Sequence, residues 1–291
     1  MKLVMTLLVR DEADIVRQNI DYHLRSGVDH IVATDNGSVD GTIEILEHYE
    51  DQGVLTLIHE PEQDYAQGKW VTRMAQIARD RVGADWIINN DADEFWVAPS
   101  GKLKASLDLP NISSVHCPRH HYFYLLGEDE TVSWESRCFY RATTQTPRGE
   151  IKDRYNSPLP DYYFCLELPG KSAVRAKEFV SIHQGNHGAD MRAEAQTGQT
   201  DIQIMHFPVR STEQYRSKIV NGGQAYLRNP DLPEIYGWHW RRWYRWYEED
   251  GQDPQRSLRE CIPALSDAEA LLSSGKVLKE EALVRSLFEG N

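Results

Sequence analysis

The first hundred residues alternate short apolar runs with stretches of helical period, the pattern of a parallel α/β sheet. Apolar runs predict strands over residues 2–9, 30–34, 54–59 and 86–89, and the segments 14–25, 42–49 and 68–82 read as helices between them. Gly27 and Gly53 stand just past two of these helices, where a left-handed C-cap is expected. After Pro99, Ser100 and Gly101 the rhythm changes. Residues 111–185 alternate polar with aromatic and β-branched side chains ("SVHCPRHHYFYL", "SRCFYRAT", "YYFCLEL"), which predicts mixed or antiparallel strands and long loops. From Glu213 helices return, ending in "EEALVRSLF". The expected division is a sheet-forming half over 1–100, a mixed-strand half of the same domain over 101–212, and a helical segment over 213–291.

In open sheets of this kind ligands bind beyond the carboxyl ends of the strands. Three polar clusters fall at three such ends: "RDEAD" after the first strand, "TDNGSVDGT" after the second and "NNDADEF" after the fourth. Alone, the second reads equally well as a turn in which Asp40 or Thr42 caps the next helix. Together, the three mark a site. Along an extended segment residues i and i+2 face the same way, so Asp91 and Asp93 are expected on one side and Glu94 on the other. Two such carboxylates either raise a pKa or bind a cation. Hard oxygen donors suit Mg2+ or Mn2+, which also take up substrate phosphate oxygens. The bland alternative is a pair of solvated turn acids. No basic residue lies within this stretch, so the positive charge is expected from a bound cation.

Composition narrows the field. Thirty-two basic residues against forty-five acidic ones leave a formal charge of -13, which argues against nucleic-acid binding as the main task. An apolar content of 40% over 291 residues is enough for a real core. Cys117, Cys138, Cys165 and Cys261 are widely spaced with no C-x-x-C pair, so neither a disulfide framework nor a zinc ribbon is expected. The N-terminus reads as a first strand and not as a signal peptide, and no apolar run is long enough to span a bilayer. A reducing cytosol is the expected home, including the inner face of the membrane. Absent too are the P-loop, the G-x-G-x-x-G fingerprint, G-x-S-x-G and H-E-x-x-H.

The ordered set "VMTLLVRDEADIV", "IVATDNGSVDGTIEIL", "GKWVTRMAQIA" and "ADWIINNDADEFW" resembles the nucleotide-binding half of family 2 glycosyltransferases with the GT-A fold, over residues 1–98. Farther on, "QGNHG", "IQIMHFPVRSTEQYRSKIVNGG" and "YLRNPDLP" resemble a bacterial branch of that superfamily. The resemblance implies a mostly parallel central sheet flanked by helices, with a nucleotide-sugar-binding half, a mixed-strand acceptor half and C-terminal helices. It implies that Asp91 and Asp93, as the D-x-D, hold Mn2+ or Mg2+ against the diphosphate of a UDP- or GDP-linked sugar, since a departing diphosphate gains negative charge. Arg10, Asp11 and Glu12, with Asp35, Asn36 and Ser38, would surround the nucleobase and ribose. Many relatives carry Asp-Asp-Gly-Ser where this chain has Asp35, Asn36, Gly37 and Ser38, which leaves the base unread.

Relatives also complete the metal shell with a histidine from the C-terminal half, here His206 or His187, although a lone histidine is more often structural. Lys69 and Arg73, one helical turn apart, would reach the phosphates or serve as surface charge. Arg210 and Lys218 are further candidates for phosphate. For inversion the acceptor hydroxyl needs a base. Asp190, Asp161, Glu167 and Glu94 are the candidates, with Asp190 favoured by its place after "QGNHG", or else capping a helix at "MRAEAQ". In residues 238–250, Trp240, Trp243, Tyr244 and Tyr247 form one helical stripe expected to pack on the core. Arg241, Arg242 and Arg245 would then face outward, toward phosphate or anionic lipid. The expected activity is metal-dependent transfer of a sugar to a glycan or lipid-linked hydroxyl acceptor in glycan or surface polysaccharide assembly. Two rivals are a sugar-1-phosphate nucleotidyltransferase, whose glycine- and arginine-rich loop is missing after strand one, and a catalytically silent binding module.

Overall fold

Strand β1 (Leu3–Val9) is apolar and almost wholly buried, as a strand flanked on both sides and covered on both faces must be. The computed structural model, which describes residues 1–62, 66–151, 153–228 and 233–288, places it at the centre of a parallel set with β2 (His30–Asp35), β3 (Leu55–His59) and β4 (Trp86–Asp91). Helices α1 (Val16–Arg25), α2 (Thr42–Asp51) and α3 (Gln67–Ile77) connect them, α3 running on into a π-helical turn at Ala78–Val82. These elements fall within two residues of the sequence expectation. Gly27 and Gly53 hold positive φ angles of 103° and 75° past α1 and α2, a conformation that glycine adopts without steric cost.

Beyond β4 the chain adds β5 (Glu94–Val97), the short helix α4 (Leu103–Ser106), β6 (Ser114–Cys117) and β7 (Arg119–His121). Among the described residues the principal sheet has seven strands in the order β12-β6-β9-β4-β1-β2-β3, where β9 is Lys171–Arg175 and β12 is Thr197–Gln199. Strand β9 runs antiparallel to both β4 and β6, and its ladder with β6 sets Lys171 directly opposite Cys117. The hairpin of β10 (Phe179–Ile182) and β11 (Ala189–Met191) lies apart from this sheet, while β13 (Gln203–His206) pairs antiparallel with β5. The sheet is therefore mostly parallel with an antiparallel insertion, flanked by helices.

The described chain divides into two compact units. The first comprises residues 1–62, 66–119 and 169–206, and the second comprises 120–168 and 207–291 among the described positions. In the second unit lie β8 (Tyr140–Ala142), paired antiparallel with β14 (Val277–Lys279), and the α-helices α5 (Thr212–Arg228), α6 (Trp238–Glu249), α7 (Gln255–Cys261), α8 (Ala268–Ser273) and α9 (Ala282–Phe288). Residues 229–232, part of the "YLRNPDLP" motif, lie outside the described residues.

Helix α6 carries the aromatic stripe inward, as its period requires. Trp243 and Tyr247 are buried, and Trp240 and Tyr244 pack against the same core with Tyr163, Phe164 and Tyr215. One expectation is corrected. Arg242 is buried, because α6 is covered on more than one face. Its guanidinium donates to the carbonyls of Arg154 and Ser157 at 3.1 and 2.8 Å, pairs with Glu260 and stacks 4.3 Å from the Trp246 ring. Arg245 does face outward, paired with Glu249 at 2.7 Å. Among the described residues no helix is long and apolar enough to cross a membrane.

Helix α5 meets α6 through glycines. A Cβ on Gly223 would stand 2.2 Å from Tyr244 Cβ, an atom fixed to the backbone that cannot swing aside. Gly223→Ala should therefore destabilise the protein by about 1–3 kcal/mol, the range for overpacking a filled contact. Chemical denaturation measures it, and an unchanged midpoint would show that the helices separate freely.

Candidate active site

The ladder register brings the polar clusters together. Val9 stands opposite Asp35 and Leu8 opposite Asp91, so β2 and β4 end on either side of β1 at nearly the same level. The first two loops are then stitched by side chains. Ser38 Oγ accepts the Asp11 N–H at 2.9 Å, Thr42 Oγ1 accepts that of Glu12 at 2.9 Å, and Asp11 Oδ1 accepts that of Val39 at 2.8 Å. Asp11 takes a φ of 54° to do so. Asp35 Oδ2 accepts the N–H groups of Gly37 and Ser38 at 3.0 and 3.2 Å, and the Asn36 amide donates to the carbonyls of Glu60 and Glu62 at 3.0 and 2.6 Å. Asp35 is buried, and among the described residues its Oδ1 has no hydrogen-bond partner. Arg10 lies beside Asp11, its Nε 3.8 Å from the carboxylate.

At the end of β4 the alternation assumed from sequence breaks. Asp91 closes the strand, Ala92 and Asp93 form a turn, and Glu94 opens β5. Asp91 and Glu94 consequently converge on one cation, and Asp93 points elsewhere. Lys171, fully buried at the start of β9, donates to Asp91 Oδ2 at 2.6 Å and to the Gly185 carbonyl at 2.9 Å, and lies 3.1 Å from Glu94 Oε2. Arg119 donates to Glu94 Oε1 at 2.9 Å. Burial pushes the Glu94 carboxyl up, but Lys171 and then Arg119 outweigh it and hold the group below the ordinary glutamate value. The positive charge that the local sequence lacks is thus supplied from within the chain. Neither Lys171 nor Arg119 was legible as a partner.

Asp93 meets His206 instead. Antiparallel pairing of β5 with β13 sets His206 across from Glu94, and its Nε2 lies 3.3 Å from Asp93 Oδ2. Burial lowers the imidazole pKa below the ordinary value, against the pull of Asp93, which favours the neutral form, the one that ligates metal. Among the described residues no group of three or more His, Cys, Asp or Glu side chains is set to hold a metal ion. Asp93 and His206 are the pair that could offer a metal one oxygen and one nitrogen donor. Asp91 does not join it, since Lys171 engages Oδ2 and the Asn186 amide donates to Oδ1 at 3.0 Å. His187 turns its Nδ1 to the Gly170 carbonyl at 2.9 Å, and burial, then Lys171 and Arg119, push its pKa down to about 3.

The remaining candidates are dispersed. Asp190 lies in β11 as a strand residue, not a helix cap, and is exposed. Its carboxylate takes hydrogen bonds from Ser181 at 2.5 Å and His183 at 2.9 Å, which lower its pKa. Lys69 is exposed on α3, and Arg73 pairs with Glu60 at 2.9 Å. Arg210, Lys218, Asp161 and Glu167 belong to the second unit. There Arg210 is buried and donates to the Phe207 carbonyl at 3.1 Å, Asp161 accepts from Thr146 at 2.8 Å and pairs with Lys276 at 2.9 Å, and Glu167 is exposed.

Beneath the turn a neutral network holds β5 in place. The Asn19 amide donates to the carbonyls of Ala92 and Glu94 at 2.8 and 2.7 Å and its oxygen accepts from Asn90 at 2.9 Å, while His23 Nε2 accepts the Trp96 N–H at 3.2 Å. That last bond fixes the proton on Nδ1, which donates to the Asn19 carbonyl at 2.8 Å.

A mostly parallel sheet, with carboxylates gathered at the carboxyl ends of its strands, is an α/β arrangement whose ligand edge lies at those strand ends. A model of glycosyltransferase family 92 matches residues 4–212, and the chain belongs to that family. This match names family 92, where the motifs resemble family 2. A search of the curated proteins returned no match. Among solved structures the chain is similar to Staphylococcus aureus TarS residues 1–349 (13% identity, 98% of this chain and 90% of that one, TM-score 0.42). The same fragment with UDP-GlcNAc gives 11% identity over 94% and 79%, TM-score 0.43. Glucosyl-3-phosphoglycerate synthase from Mycobacterium tuberculosis, in complex with Mn2+, UDP and glucosyl-3-phosphoglycerate, gives 13% identity over 60% and 57%, TM-score 0.30.

Two outcomes follow from the buried charges. Lys171→Met leaves Asp91 and Glu94 with one cation fewer and should cost about 3–5 kcal/mol of stability, as breaking buried ion pairs does. A loss under about 1 kcal/mol by urea denaturation would contradict the clamp. Burial of His23 lowers its pKa to about 4 from an unfolded value near 6.5. A depressed pKa contributes stability that is complete above the unfolded value and is lost as pH falls through the folded one. Melting temperature should accordingly drop between pH 7 and pH 4, and His23→Gln should flatten that slope.

Proposed function

We propose that this family 92 protein transfers a sugar from a nucleoside-diphosphate sugar to a hydroxyl acceptor, with the donor lying across the ends of β1, β2 and β4. The observation that carries the reading is the 3.3 Å contact of Asp93 with His206, beside the end of β4. These two side chains would hold a Mn2+ or Mg2+ ion, which would supply positive charge against a departing diphosphate. Lys171 and Arg119 answer Asp91 and Glu94, so the negative charge offered to the cation is that of Asp93, beside His206.

The base half of the donor is read by the stitched loops. Asp35 Oδ1, buried without a partner among the described residues, accepts a ring N–H, which both uracil and guanine present. An unpaired buried acceptor costs roughly 1–3 kcal/mol, and a bound base recovers it. Glu94 serves the loop as a buried anion and not as a base toward the acceptor. The acceptor hydroxyl is that of a glycan or of a lipid-linked sugar.

Thermal shift and release of nucleoside diphosphate from UDP- and GDP-sugars, with and without Mn2+, test this. The wild type should show release that Mn2+ supports, and Asp93→Ala and His206→Ala should each lower it by about 100-fold, the upper range for losing a metal-site partner. Release that survives a chelator and both substitutions would sink the metal seat. Formation of pyrophosphate from a nucleoside triphosphate would make the chain a nucleotidyltransferase instead.

A further inference from the structure

The "QGNHG" loop contains a polar group that neither the metal seat nor the base loops use. Asn186 is 1% exposed and adopts a φ of 60°, a left-handed conformation that asparagine tolerates better than other residues with a side chain. Its amide nitrogen donates to Asp91 Oδ1 at 3.0 Å, whereas its Oδ1 is buried with no hydrogen-bond partner among the described residues. Glycine would fill this backbone position with less strain. The side chain is therefore half used.

Two positions earlier stands a matching vacancy of opposite sense. Gln184 Oε1 accepts the Gly68 N–H at 3.0 Å, and its Nε2 is buried without a partner among the described residues. The loop that bears both amides is tied from four sides. Gly185 N–H donates to Gln67 Oε1 at 2.9 Å, the Gly185 carbonyl accepts from Lys171 at 2.9 Å, His187 meets the Gly170 carbonyl at 2.9 Å, and Asn186 meets Asp91. A loop so fixed does not turn its amides to find partners. Each orphan costs roughly 1–3 kcal/mol, and orphans beside a ligand edge mark where a ligand completes the bonding.

We infer that Asn186 and Gln184 recognise hydroxyl groups of the sugar carried by the nucleotide, and so help to set which donor sugar is accepted. A sugar hydroxyl both donates and accepts, which suits a free amide oxygen and a free amide N–H on one rigid loop. The bond from Asn186 to Asp91 ties this site to the strand end where the diphosphate lies, and the assignment rests on the transferase reading above.

Titration calorimetry in the presence of Mn2+ with UDP, GDP, UDP-glucose, UDP-N-acetylglucosamine and GDP-mannose tests it on the wild type, Asn186→Gly and Gln184→Glu. Asn186→Gly removes the side chain and relaxes the backbone, and Gln184→Glu keeps the acceptor for Gly68 while deleting the donor. Both variants should hold the affinity for the matching nucleoside diphosphate within about twofold. They should lose about three- to tenfold for the nucleotide sugar that the wild type prefers, the worth of one hydrogen bond. Equal losses for diphosphate and nucleotide sugar would reduce the loop to scaffolding, and unchanged affinities would overturn the inference alone. A wild type that binds no nucleoside diphosphate would overturn the transferase reading and this inference with it.

Discussion

Everything at the ligand edge depends on how a buried lysine is satisfied. The Lys171 ammonium has no water to turn to, so Asp91, Glu94 and the Gly185 carbonyl must surround it, and each belongs to a different piece of chain. Moving two charges out of water is expensive, and only close geometry with further hydrogen bonds offsets the cost. That demand aligns the end of β4, the start of β5, the start of β9 and the "QGNHG" loop to within hydrogen-bond tolerance. It also determines which acid remains for a ligand. With Asp91 and Glu94 both engaged by Lys171, Asp93 is left to the imidazole of His206 at the end of β13.

The parallel half of the fold was legible because its signals are local. Apolar runs of strand length, helical periods between them and glycines at helix ends each depend on neighbours in sequence, and β1 to β4 and α1 to α3 follow. The antiparallel insertion of β9 and β6 was legible only as a change of rhythm. Its place in the sheet, next to β4, is a long-range choice that alternation cannot encode. Arg242 shows the same limit at one residue. A charged position opposite an aromatic stripe reads as solvent-facing, yet Trp246, Glu260 and two carbonyls enclose it.

The candidate site divides along the same line. Residue types at the strand ends were readable, and the register does bring Asp35 and Asp91 to either side of β1. Side-chain direction was not, because a tight turn at Ala92 and Asp93 interrupts the strand alternation from which the facing was inferred. Lys171 was invisible for a simpler reason. It lies 80 positions from Asp91, in a stretch where a lone lysine next to Pro169 and Gly170 resembles any surface turn. Its burial was the one signal that mattered, and burial belongs to the fold.

The β6–β9 ladder has a consequence for the chain's history. Cys117 and Lys171 face one another across it, so the segment 118–170 leaves the sheet and returns beside the point of departure. Most of that segment belongs to the second unit. An excursion whose two ends are held by one strand pair can lengthen, shorten or be replaced at little cost to the pair, since loop closure depends only weakly on length. The lysine that organises the ligand edge is the first residue after re-entry. Arg119 and Gly170, at the two ends of the excursion, remain bound to Glu94 and His187, so the freedom to change belongs to the part of the segment between them.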